Sequence, residues 1–138
     1  MFMPMNILAS VIGAVLCSVI GMTEVMAKDL CFGTFSSLHF NSGSGDLSGI
    51  EISIVSTRDG KQAAVQFSDG EPGPLMVTPV ICTGTHLSMS LPKDAGSAAA
   101  TFNGVVSSSR LIGELVFDTG AREKVNLKRR KSYWYKTR

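Results

Sequence analysis

The chain is poor in the residues on which most enzymes and metal sites depend. Its 138 residues include only two histidines, three cysteines and one tryptophan. No CxxC pair occurs, which argues against a zinc ribbon or a dithiol redox centre. No GxSxG, Walker loop, EF-hand or dinucleotide fingerprint occurs either. His39 and His86 lie far apart, and a metal site would need further ligands beside them. Asp69 with Glu71, and Asp118 with Glu123, fall in turn-like segments. They read as solvated loop acids rather than as a pair with split pKa values. "SGSGD" (42–46) reads as a hairpin turn, not a nucleophile motif. The expectation is a non-enzymatic protein with no cofactor.

Basic residues are missing from the first 27 positions. The segment Asn6–Met22 is apolar almost throughout, shorter than the ~20 residues that a membrane span requires. Val25 and Ala27 suit the small-residue rule for signal peptidase, so residues 1–27 read as a signal peptide cut after Ala27. An uncleaved anchor is the alternative. No lipobox precedes Cys17. The predicted location is the periplasm or the exterior of a bacterial cell.

Two cysteines remain after that cut, Cys31 and Cys82. In an oxidising compartment a disulfide is the default for such a pair. Charge is divided unevenly. From Lys28 to Ala121 there are five basic and nine acidic residues, a net of −4. From Arg122 to Arg138 there are eight basic residues and Glu123, a net of +7. An acidic body thus carries a basic end.

A sustained helical period is also absent. Short alternating runs take its place, as in "IEISI" (50–54) and "HLSMSL" (86–91). A period of two sends Ile50, Ile52, Ile54, Leu87, Met89 and Leu91 to one face of a sheet. Turn-like clusters at 43–46, 58–61, 69–74, 82–85, 92–97, 107–109 and 118–121 separate eight strands. These are 30–40, 47–57, 62–68, 75–82, 85–91, 98–106, 110–117 and 122–131. The connections are too short for parallel crossovers, so the sheet is an antiparallel meander. Closure removes aggregation-prone edges, and Gly104 and Gly113 inside strands favour strong bending. The predicted fold is all-β, a small eight-stranded antiparallel barrel over 28–131 with a tail at 132–138. A flattened barrel or sandwich is the second choice. Pro79 marks its strand as an edge, as irregular or as late-starting.

The order "CFGTFSS…SGDLSGIEISI…DGKQAAVQFSDGEPGPLMVTPV…HLSMSLP…ATFNGVV…RLIGELVF…REKVNLKRRKSYW" resembles a family of small exported bacterial proteins with calycin-like or lipocalin-like barrels. The likeness spans most of the mature chain and rests mainly on turns and barrel glycines. It implies a fold and an exported location, and brings no activity with it.

The chain ends "NLKRRKSYWYKTR". As a last strand this segment points Val125 and Leu127 inward and Lys124, Asn126, Lys128 and Arg130 to solvent. Arg129 has inward parity near the rim, where its long stem can snorkel. Tyr133, Trp134 and Tyr135 are expected to plug or cover one barrel end. The rival reading makes Lys128, Arg129, Arg130 and Lys131, with Tyr133 and Trp134, a surface for anionic membranes. Nucleic acid is not an expected partner, since no recognised motif for it is present. Asp69 and Glu71, in the stiff loop "DGEPGPL", form a possible binding edge at a barrel mouth. The expected partners are a small apolar ligand or another envelope protein. An inhibitor or accessory of a cell-wall enzyme such as lysozyme is a further alternative, because the acidic body suits a basic partner.

Overall fold

The computed structural model describes residues 29–93 and 98–135. Residues 1–28, which hold the expected signal segment 1–27, residues 94–97 and the last three residues lie outside the described residues. Eight strands form one antiparallel sheet: β1 (Gly33–Ser36), β2 (His39–Asn41), β3 (Asp46–Thr57), β4 (Gly60–Thr83), β5 (His86–Leu91), β6 (Ala100–Val106), β7 (Arg110–Phe117) and β8 (Arg122–Arg129). The order β1-β8-β7-β6-β5-β4-β3-β2 is completed by pairing of β1 with β3, so the sheet closes on itself as a barrel. Phe35 lies opposite Ile52 on β3 and Arg129 on β8, at the seam.

Two elements depart from the expected divisions. The predicted strand 30–40 is interrupted at Ser37 and Leu38. There Ser37 donates its backbone N–H to Ile50 and accepts the Ile50 N–H on its hydroxyl. The predicted turn 69–74 is absorbed into the long β4. In a straight strand Phe67 and Gly73 would stand about 20 Å apart. Instead a Cβ on Gly73 would approach the Phe67 carbonyl oxygen to 2.4 Å, and Gln66 Nε2 donates to the Gly73 carbonyl at 2.8 Å. β4 therefore doubles back around Gly70, whose φ is +89°. Its first arm pairs with β3 and its second with β5. The ladder to β5 begins at Val80, directly after Pro79. Before it, the Thr78 hydroxyl donates to the Ser90 carbonyl at 2.6 Å.

The interior is filled. Phe35, Ala63, Val65, Phe102 and Leu111 are fully buried, and Ile52, Ile54, Leu87, Leu115, Val125 and Leu127 nearly so. Gly104 and Gly113 face each other across β6 and β7, and a Cβ on either would strike Phe102 Cζ at 2.7 Å. The glycine pair thus makes room for one aromatic ring at the centre of the barrel.

Candidate functional site

The two barrel ends differ. One end gathers the start of β1, the end of β8 and the β4–β5 turn. The disulfide Cys31–Cys82 lies here, with Cα atoms 6.6 Å apart. It ties the segment before β1 to the end of β4 and draws that segment across the opening. Leu30 and Phe32 pack against the core beneath. Arg129, whose parity pointed inward, sits in the same end with its guanidinium 4.4 Å from the Phe35 ring centre. It donates to the carbonyls of Leu30, Phe32 and Ser107. Loss of water around it lowers its pKa. An arginine still stays charged, because its pKa begins so high. Outside, Lys61 Nζ pairs with Asp29 at 2.7 Å and lies 5.0 Å from the Phe32 ring centre. The hydrogen bond from Lys61, with a smaller one from the Cys31 N–H, holds the Asp29 carboxyl below its ordinary value. Asp29 with the two cysteines is a cluster of potential metal-ligating types. Both sulfurs are already spent in the disulfide, so the cluster is not a thiolate site.

The C-terminal segment does not plug an end. After β8 it crosses the outer wall. The Arg130 N–H bonds to the Thr34 carbonyl and its guanidinium donates to the Leu38 carbonyl. Ser132 Oγ and the Tyr133 N–H then both donate to the Glu51 carboxylate. Trp134 Nε1 donates to Gln66 Oε1 at 2.8 Å. Glu51 and Gln66 are cross-strand partners of outward parity on β3 and β4. Glu51 is nonetheless only 6% exposed, because the strap covers it. Tyr133 and Trp134 pack edge to face, and Lys131 lies 4.9 Å from the Tyr135 ring centre. Of the four expected cations, Arg129 and Arg130 thus bond to the protein's own carbonyls, while Lys128 and Lys131 remain exposed.

The opposite end gathers the fold-back of β4, the end of β5, the start of β6 and the end of β7. It is open. Phe67, Met76, Leu91, Pro92, Ala98, Phe117 and Thr119 line a half-enclosed hollow of about 310 Å³. Six of these seven side chains are apolar. Asp69 and Glu71 are exposed at the fold-back above Phe67, on the same end. His39 belongs to this end and His86 to the other, so the histidines are not brought together. Periodicity placed Leu91 inward, and Phe117 packs half-buried against the core beside it. Glu51 and Gln66 escaped periodicity altogether.

Comparison with known proteins finds no matching family model, curated protein or solved structure.

Proposed function

We propose that this chain is a non-enzymatic, exported binding module. It takes one compact apolar group, a ring or a short branched alkyl chain, into the hollow at the open end. The observation that carries the reading is the contrast between the ends: one is sealed by a disulfide and an arginine, the other presents an apolar hollow. Its size lies at the small end of ligand pockets, roughly 300–1,000 Å³. The disulfide is consistent with an oxidising compartment. Membership of the exported calycin-like group is part of the same proposal.

The apolar group can arrive on a free small molecule or on a side chain of an envelope protein, a cell-wall enzyme included. Titration with the neutral fluorophore 1-aminoanthracene tests the hollow itself. Saturable binding is expected, weakened at least about tenfold in Ala98→Trp, which fills the space with the extra ring. Equal binding by both proteins would discard the reading. Lysozyme-catalysed lysis with and without the protein separates the sources, since a side-chain source predicts slower lysis and a free ligand predicts lysis at the control rate.

A second reading is favoured by Lys124 and Lys128, which stand exposed on the outer face of β8. There an anionic membrane surface would be held electrostatically. Sedimentation with anionic vesicles is expected to fall steeply with salt, and salt-independent binding would count against it.

A further inference from the structure

Three stretches of outer wall differ in what they offer. The wall of β3 and the first arm of β4 is crossed by the protein's own C-terminal strap. The wall of β7 and β8 is charged: Arg122 pairs with Glu114 at 3.0 Å, and Lys124 and Lys128 flank Asn126. The third stretch comprises the second arm of β4 with β5 and β6. From Leu75 onward the outward positions of β4, and those of β5 and β6, hold no Asp, Glu, Lys or Arg; Glu71 stands apart at the fold-back. Leu75, Val77 and Ile81 form a ridge there, 63%, 65% and 70% exposed, with Pro79 between them. The flank of the ridge at Pro79 and Ile81 forms one wall of a shallow depression of about 380 Å³, and Ser88, Ser90, Thr101 and Asn103 border it on the far side.

We infer that this wall is a self-association surface, and that its partner is a second copy of the same chain. A two-fold interface brings one patch against itself, so any charge it carries meets the same charge near the axis. The β7–β8 wall is penalised by that rule, with its lysines facing lysines. The uncharged wall is not. It also carries both halves of a fit, a ridge and a depression side by side, so each copy can seat its ridge in the other's hollow. Depletion of charge and exposed apolar side chains are the features that mark the core of a protein interface. An anionic bilayer is a poorer occupant, because the cations that would hold it lie on β8.

Sedimentation equilibrium of the disulfide-bonded protein from about 1 µM to about 500 µM reads the self-association directly. A monomer–dimer equilibrium is expected. Val77→Lys with Ile81→Lys should weaken dimerisation by about a hundredfold or more, since the new charges meet across the axis. Mixing that variant with Val77→Glu, Ile81→Glu should restore a heterodimer, which a misfolded variant could not form. A wild-type protein monomeric at the highest concentration overturns the inference, as does a lysine variant that dimerises normally. Ala98→Trp at the open end should leave the dimer unchanged, so failure here and failure of the proposed ligand hollow are read separately.

Discussion

At the scale of single residues, Arg129 and Glu51 carry most of the unusual burial of charge. Arg129 donates to three carbonyls that belong to segments far apart in the chain. Replacing it with Met keeps the stem against Phe35 and strands those acceptors. The expected cost is about 2–3 kcal/mol, read as a lower urea midpoint at unchanged slope. Arg129→Lys should recover part of it, because a point charge cannot reach all three carbonyls. Asp29 makes a smaller contribution with a definite sign. Its folded pKa is depressed by Lys61, so the ion pair stabilises the protein above the ordinary carboxylate value, about 3.9. That contribution fades as pH falls through the depressed pKa. The pair is partly exposed and stays within about 1 kcal/mol. Asp29→Asn should therefore flatten the acid limb of a stability–pH profile and leave the difference between pH 7 and pH 8 unchanged. The period of two located Val125, Leu127 and the inward parity of Arg129, because alternation is a local property. Glu51 was illegible for the same reason. Its parity is outward, and only a strap from the far end of the chain makes it buried.

At the scale of elements, the strap and the doubled β4 are where local pattern met its limit. "SDGEPGP" carries strong turn chemistry, and the chain does reverse there, at Gly70, with strand resuming on either side. The segment "SYWY" announced itself as aromatic and amphipathic, which says that it covers something and not which surface. Trp134, the one tryptophan, reports on that contact. Glu51→Ala removes the acceptor for Ser132 and Tyr133 and should free the strap. The expected result is a red-shifted tryptophan emission with the far-ultraviolet dichroism of the barrel retained. The stability loss should be about 1–3 kcal/mol, since charge-assisted bonds are lost but no acceptor is left stranded. An unshifted emission would mean that Gln66 and the edge-to-face contact with Tyr133 alone hold Trp134.

At the scale of the whole molecule, closure of the barrel was legible and the asymmetry of its ends was not. Eight runs, short turns and two glycines inside strands all pointed to a closed meander, and each is a feature of sequence neighbours. Which opening is sealed depends on Cys31 finding Cys82 across 51 positions, a pairing that sequence allows but does not aim. Reduction should release the lid over the disulfide end. The chain-entropy account gives a loss of about 4 kcal/mol for a loop of that length. Chemical denaturation with and without reductant measures it. The hollow at the other end should bind 1-aminoanthracene with little change if reduced protein remains folded.

The seam has a consequence for how the protein comes into being. Residue 35 borders both residue 52 and residue 129, so the first ribbon has only half its neighbours until the last has been delivered. No ring can form on a partly emerged chain. Assembly must wait for residues near 129, so closure of the ring comes only once nearly the whole barrel sequence is available.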